Sequence, residues 1–256
     1  MKKNIVNLLF AAIILVGSSC QKDAPLENDL TTKSPEENWL GTNLDSKFAD
    51  SQKEVAAYLF STNEVLKVVT TPNVKKVHFV LGYDESTITI KMLGTTDKGS
   101  ELIAINSEIL KDASYIQKLE QFKTASFNKN GVKTDLLRTH LYSPQVAYNG
   151  INEWHKKLNA AKDIEEVTSY DGKRIQRFII EVEIINEIVR KGDVANVGLF
   201  LGLNDKGKVT TYFMGMDLNN TIKRQLTSKG ESTTTDVYDG TLPCPPYGTN
   251  GVLINQ

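Results

Sequence analysis

Along much of the chain, apolar and polar residues alternate in period 2 between clusters of turn residues, which predicts antiparallel β-hairpins. Three pairs of segments have this pattern, over residues 74–81 with 87–93, 164–170 with 173–184, and 197–203 with 208–216. The middle pair is joined by Asp171-Gly172, two residues that tolerate the positive φ angles of a type I′ turn. A further strand is predicted over Glu101–Ile105, after the turn residues Asp97–Gly99.

Other segments repeat their apolar residues at helical spacing. Ser34-Pro35-Glu36-Glu37 is a capping box with proline at the first helical position, so a short helix is predicted before Gly41. Longer helices are predicted from Ser46 (apolar Phe48, Val55, Ala56 and Leu59), from Ser107 to about Phe122 (Ile109, Ala113 and Ile116), and from about Gly150 (Ile151, Trp154, Leu158 and Ala161). A short helix over 184–189 is the alternative to a continued strand. Helices packed on antiparallel hairpins predict an α+β fold.

The first and last hairpins share a sequence pattern. Val80–Asp84 matches Phe200–Asn204, and Met92–Gly94 matches Phe213–Gly215, with the offset changing from 120 to 121 residues. A duplicated unit is predicted, with chance similarity between apolar hairpins as the alternative. The shared glycines are expected at bulges, strand ends or close backbone contacts: Gly82, Gly94, Gly202 and Gly215.

Residues 1–19 have the three parts of a secretory signal. Lys2 and Lys3 precede an apolar run over Ile5–Val16, and small residues lead into Cys20. This run of twelve residues is too short to span a bilayer core, which takes about 20 helical residues. The segment is therefore predicted to be a cleaved signal peptide and is left out of the fold.

The end of this leader, Gly17-Ser18-Ser19-Cys20, resembles the lipobox of signal-peptidase-II substrates, with Gly17 in place of the usual large apolar residue. The resemblance implies that Cys20 is acylated and becomes the mature N-terminus, since two or three acyl chains give stable membrane anchoring. Gln21-Lys22-Asp23 is similar to the charged signal that exports some lipoproteins to the outer leaflet of the outer membrane. An outer-membrane lipoprotein is expected, with the cell surface favoured over the periplasmic leaflet. The alternative is a secreted protein cleaved near Ser19.

Composition divides the rest of the chain. Residues 20–33 are polar without periodic apolar positions, which predicts a flexible lipidated tether. Residues 34–226 hold the predicted elements and form the α+β domain, with a subdomain boundary or a long loop near 124–131. Residues 227–256 are predicted to be a polar tail without elements of its own.

Charge narrows the class of partner. When Lys2 and Lys3 leave with the signal peptide, 30 basic against 31 acidic residues become 28 against 31, a net charge of about −3. Because this balance provides no basic field, nucleic-acid binding is not expected. With 40% hydrophobic residues, the chain can bury a sizeable core.

Residues that carry chemistry occur without a catalytic motif around them. His78, His140 and His155 lack metal-ligand spacing, and the glycine motifs of nucleotide sites and nucleophile elbows are missing. The sequence thus predicts no metal or cofactor and leaves the catalytic residues unknown. Glu181 and Glu183 are expected on one solvated strand face. Four aspartates are expected to form turns rather than to bind Ca²⁺: Asp84, Asp97, Asp205 and Asp217.

Two further features have both a functional and a structural interpretation. Trp154, Tyr142 and Tyr148 are suited to an aromatic patch for a glycan or peptide, but the position of Trp154 on an apolar helix stripe favours the core. Lipidation of Cys20 would leave Cys244 as a candidate reactive thiol or intermolecular link, with a remnant of a tail motif as the favoured alternative.

The last hairpin and the tail motif resemble those of a group of Bacteroidota envelope lipoproteins. The matching positions are Phe200–Asn204, Gly207, Tyr212–Asp217 and Cys244–Pro246, within about the last sixty residues, and more weakly residues 77–99. Many such tails carry a second cysteine where this chain has Tyr247-Gly248, so a disulfide-closed tail is not implied. The resemblance implies an envelope lipoprotein and no particular reaction.

Targeting without a catalytic motif predicts a non-enzymatic lipoprotein that binds or scaffolds another envelope component, a protein or a glycan. Its anchor is the lipid membrane, through acylated Cys20. The alternative hypothesis is a hydrolase of envelope or extracellular polymers, whose carboxylates or histidines come together only in the fold.

Overall fold

The structure is a computed structural model. It describes residues 33–125, 134–190, 193–223, 225–226, 232–233, 236–239 and 241–248.

Several helices begin at a polar residue whose side chain accepts a backbone N–H of the first turn. The Ser34 hydroxyl accepts the N–H of Glu37 (3.2 Å), and the Ser34 N–H donates to the Glu37 carboxylate (3.3 Å), which confirms the predicted capping box. The α-helices of the described residues are α1 (Pro35–Gly41), α2 (Ser46–Gln52), α3 (Thr62–Thr70), α4 (Tyr115–Lys118), α5 (Asp135–His140), α6 (Pro144–Ala160), α7 (Ile164–Val167) and α8 (Val182–Arg190). A 3₁₀ helix over Leu119–Thr124 follows α4.

Two antiparallel sheets contain most of the strands. Sheet A has the order β5-β1-β10-β11-β14-β6, and sheet B has the order β15-β9-β2-β3-β4. Their strands are β1 (Val55–Ser61), β2 (Lys76–Tyr83), β3 (Ile88–Thr95), β4 (Glu101–Asn106), β5 (Glu108–Lys111), β6 (Leu141–Tyr142), β9 (Arg177–Glu181), β10 (Asn196–Leu203), β11 (Val209–Met216), β14 (Val237–Tyr238) and β15 (Leu242–Cys244). Two small ribbons pair β7 (Ser169–Tyr170) with β8 (Lys173–Arg174), and β12 (Gln225–Leu226) with β13 (Ser232–Thr233). The predicted α+β class is confirmed.

The two halves of the domain repeat one another. A strand, a helix and a hairpin follow in the order β1-α3-β2-β3, and the same order recurs as β9-α8-β10-β11. Helices α3 and α8 lie 120 residues apart, as do β2 and β10, whereas β3 and β11 lie 121 apart. The correspondence therefore extends the predicted duplication from the hairpins to the strand and helix before them.

Each half contributes a strand to the other half's sheet. In sheet A, Ser61 of β1 lies opposite Asn196 of β10. In sheet B, Glu181 of β9 lies opposite Lys76 of β2, which is the same pairing shifted by 120 residues. The halves thus share both sheets, so they are joined by strand exchange. The predicted boundary near 124–131 falls between the two repeats in sequence, and most of it lies outside the described residues.

Helices α1 and α6 occupy corresponding places on the two hairpins. A Cβ atom at Gly82 would come within 2.8 Å of Pro35 of α1, and one at Gly202 within 2.9 Å of the backbone of Gly150 in α6. Trp39 lies four residues after Pro35, as Trp154 does after Gly150. These contacts confirm the predicted close backbone approach. A side chain at either glycine would collide with the helix, so only glycine at this strand position lets each helix lie so near the sheet.

The main core fills the space between the sheets. Its aromatic centre joins the halves, since Phe79 of β2 contacts Phe213 of β11 with ring centroids 4.7 Å apart. A second cluster covers the other face of sheet A, where Ala147, Tyr148 and Ile151 of α6 pack on Phe200.

Several predicted elements are wrong, and most lie in apolar runs with two possible periods. The helix from Ser46 ends at Gln52, and Val55–Ser61 is a strand buried on both faces. The predicted helix from Ser107 to Phe122 begins instead as edge strand β5, with short helical turns only from Tyr115. In the middle pair, Asp171 and Gly172 have the predicted positive φ angles, but the two strands that they join, β7 and β8, have only two residues each. Residues 164–167 form a helix instead of a strand, and the strand predicted to reach residue 184 ends at Glu181. The tail contributes β14 and β15, so it is not without elements.

Candidate functional site

A polar cleft of about 350 Å³ lies between the α1–α2 connection and the turn of the β2–β3 hairpin. Its volume is at the lower end of the range for small-ligand sites, about 300–1,000 Å³. Sequence reasoning did not identify its residues. A hairpin turn between residues 81 and 87 was predicted, but no local pattern indicated that this turn closes a cleft against the connection between the first two helices.

The floor of the cleft is aromatic. The rings of Phe48 and Tyr83 lie with centroids 5.5 Å apart, and Trp39 lies behind Phe48 at 6.1 Å. The Trp39 indole N–H donates to the carbonyl of Ile175 (2.7 Å), which ties α1 to the strand region of the other half. The floor is therefore held by packing from both halves.

The wall on the helix side consists of Asn38, Thr42 and Asn43. The Arg174 guanidinium fixes the backbone here by donating to the carbonyl of Thr42 (2.9 Å). Within the described part of the chain, the side chains of these three wall residues make no hydrogen bond. Their two amides and one hydroxyl are thus available as donors and acceptors for a ligand.

Charged side chains of both signs surround the cleft. Glu37 and Asp45 are fixed by helix caps, since Glu37 accepts the Ser34 N–H and Asp45 accepts the Phe48 N–H (3.1 Å). Glu85, in the left-handed region with φ 71°, and two lysines, Lys33 and Lys47, complete the set. Three carboxylates and two ammonium groups nearly cancel, so the cleft is polar without a strong net charge.

The predicted turn aspartates are in part confirmed. Asp84 accepts N–H bonds from Ser86 (3.0 Å) and Thr87 (2.7 Å), and Asp217 accepts them from Asn219 (2.8 Å) and Thr221 (2.9 Å). Burial raises the pKa of Asp84, but the hydrogen bonds to Thr87 and Ser86 outweigh it and leave the pKa below its usual value. In the β10–β11 turn, Asn204 rather than Asp205 accepts the backbone N–H groups.

The three histidines stay apart, on β2, α5 and α6. His140 contacts a carboxylate, with its Nε2 3.5 Å from Glu181, while its Nδ1 lies 2.7 Å from the carbonyl oxygen of Asp239. Because a carbonyl only accepts, Nδ1 carries the proton and Nε2 is turned toward Glu181. Within the described ranges, histidine, cysteine and acidic residues form no group of three able to hold a metal ion.

The remaining predicted pairs are separated by the fold. Glu181 ends β9, whereas Glu183 lies on helix α8, so the expected shared strand face is wrong. Trp154 belongs to the main core and Tyr148 to the second cluster, so the aromatic patch with Tyr142 is not formed and the core interpretation of Trp154 is confirmed.

His78 lies in sheet B with no exposed surface. Its Nε2 contacts the Thr95 hydroxyl (3.2 Å), whereas its Nδ1 has no hydrogen-bond partner among the described residues. Burial, with the charges of Arg177 and Lys76, lowers its pKa to about 3. The imidazole is therefore neutral at physiological pH.

Cys244 is disulfide-bonded and fully buried in the structure, which argues against the candidate role of a reactive thiol. A sulfur in a disulfide has no thiolate to act as a nucleophile. The sequence holds one other cysteine, Cys20, which lies outside the described residues. Lipidation of Cys20 therefore stays a prediction.

Comparison with known proteins gives no relative, since no family model, curated protein or solved structure matches the chain. None of the helices in the described ranges combines the length and hydropathy of a membrane span. The predicted signal peptide, residues 1–19, and most of the predicted tether, residues 20–33, lie outside those ranges.

Proposed function

We propose that this chain is a membrane-anchored envelope lipoprotein that binds another cell-surface component without catalysing a reaction, and that the polar cleft holds that component. The cleft carries the proposal, because it combines a fixed aromatic floor with the side chains of Asn38, Thr42 and Asn43, which make no hydrogen bond among the described residues. The targeting sequence supports the location.

A lipidated tether would limit the distance between the cleft and the membrane. Lys33 ends the tether and lines the cleft. It lies thirteen positions after Cys20, and a fully extended chain of that length reaches at most about 45 Å. A lipidated Cys20 therefore keeps the cleft within reach of membrane-bound polymers and proteins.

Lipidation is tested by metabolic labelling with a fatty-acid analogue in cells that make the full chain. We expect label on the wild type and none on Cys20→Ala, which should also leave the membrane fraction, because its anchor is missing. Cys244→Ala is the matched control and should keep the label. Equal labelling of wild type and Cys20→Ala would contradict the prediction. So would mass spectrometry that finds Cys20 joined to Cys244 in the mature protein.

Binding through the cleft is tested by a photo-crosslinking amino acid placed at Asn43 in the full chain on intact cells. We expect one reproducible adduct with an envelope component. The same amino acid at the exposed Asn159 of α6, which does not line the cleft, is the control and should give none. Adducts of equal yield at both positions, or none at Asn43, would contradict a binding role for the cleft.

The contact between His140 and Glu181 is the observation that supports the alternative hypothesis of a hydrolase. The carbonyl of Asp239 orients the imidazole with Nε2 toward Glu181, and general acid–base catalysis uses a positioned histidine of this kind. A polymer-degrading activity of the purified protein that Glu181→Gln and His140→Asn both abolish would support it. Activity that survives both changes would rule out this site.

A further inference from the structure

We infer that the ligand of the cleft is a neutral saccharide unit, so that the lipoprotein recognises a glycan of the envelope or its surroundings. This inference rests on the proposed binding function and narrows it to one ligand class. It is carried by the hydrogen-bonding groups of the cleft and by their charge balance.

The wall presents neutral groups that both donate and accept. Each amide of Asn38 and Asn43 offers an N–H₂ donor pair beside a carbonyl acceptor, and Thr42 adds a hydroxyl. A sugar ring presents hydroxyl groups on neighbouring carbons, each of which also donates and accepts. The two surfaces are complementary without any charge on the ligand.

The charged groups around the wall argue against ionic ligands. A phosphate or sulfate group would meet the carboxylates of Glu37, Asp45 and Glu85, and a cationic ligand would meet Lys33 and Lys47. The cleft therefore provides neither the positive potential that would attract an anion nor the negative potential that would attract a cation. Sugar hydroxyls, in contrast, can donate to the carboxylates and accept from the ammonium groups.

The cleft also disfavours an apolar ligand. Its aromatic floor is covered, with Phe48 2% and Tyr83 7% exposed, so little apolar surface is open to a lipid or to the apolar face of a helix. A ligand would therefore derive its affinity mainly from hydrogen bonds.

The test is calorimetric titration of the full chain, purified in detergent, with two pools of oligosaccharides released from the envelope of the producing cells, one neutral and one acidic. We expect saturable binding of the neutral pool. Asn43→Ala should weaken that binding about tenfold, because loss of one or two amide hydrogen bonds costs about that factor. Asn159→Ala, an exposed change outside the cleft, should leave it unchanged.

Thr42→Val provides a second cleft variant of nearly equal shape, so that the result does not depend on one substitution. Lack of binding by the neutral pool, tighter binding of the acidic pool, or neutral binding that neither Asn43→Ala nor Thr42→Val weakens would each overturn the saccharide assignment. A peptide or lipid adduct at Asn43 in the photo-crosslinking experiment would keep the binding function and reject only the saccharide.

Discussion

Replacing Phe79 with alanine is expected to lower the free energy of unfolding by about 3–5 kcal/mol, as truncation of a fully buried phenylalanine does when the cavity cannot collapse. Phe79 has no exposed surface and its ring lies between those of Phe60, at 5.8 Å, and Phe213, at 4.7 Å. Since domains are stable by only about 5–15 kcal/mol, a large share of the stability would be lost. Urea unfolding followed by circular dichroism measures the change.

The same experiment tests whether the two halves form one cooperative unit. Phe213→Ala should cost a similar amount, and the double variant should lose less than the sum, because the two rings contact each other and aromatic pairs couple by about 0.5–1.5 kcal/mol. Leu218→Ala, at a side chain that is 88% exposed, is the control and should change stability by less than about 0.5 kcal/mol. Separate unfolding transitions, with Phe79→Ala shifting only one of them, would show that the halves are independent despite their shared strands.

The hairpins could be predicted from sequence because two signals agree there. Period-2 alternation and turn residues both mark β2–β3 and β10–β11, and Asp171-Gly172 has the positive φ angles its turn type requires. Where only one signal was available the prediction failed. The continuous apolar run Val55–Phe60 fits a helix face as well as a doubly buried strand, and only pairing with β10 and β5 decides between them.

The structural repeat was visible in the sequence only at its most constrained positions. Gly82 and Gly202 are matched because a Cβ atom at either would collide with the helix above it. Helices α3 and α8 keep the 120-residue spacing but few identical residues, since a helix packing on a core needs only an apolar stripe. The exchange of β1 and β9 between the sheets is a long-range pairing, and no local pattern specifies which partner a buried strand takes.

The cleft could not be predicted for a related reason. Its helix-side residues are close in sequence, but Tyr83 and Glu85 reach them only because α1 packs on Gly82 and Arg174 of the other half holds the end of that helix. Surface amides such as Asn38 and Asn43 carry no sequence signal of their own. A site built from common polar residues becomes recognisable when the fold brings them around one volume.

His78 is expected to make the protein less stable as the pH falls below about 6.5. The imidazole has a pKa of 6.5 in the unfolded chain but about 3 in the fold. Between these values the unfolded state binds a proton that the folded state does not, so stability declines with falling pH. The decline is about 2 kcal/mol between pH 7 and pH 5, since each pKa unit corresponds to about 1.4 kcal/mol.

His78→Leu should remove this decline, because the replacement keeps an apolar side chain of similar size in the sheet and has no proton to bind. Urea unfolding of both proteins at pH 7.5, 6 and 5 gives the difference, and His155, whose pKa is also lowered by burial, contributes equally to both. The control is the plateau above pH 7, where the two curves should run parallel. If both proteins lose the same stability between pH 7 and pH 5, His78 takes up a proton within the folded state. Its Nδ1, which has no partner among the described residues, would then have to gain an acceptor that stabilises the charge.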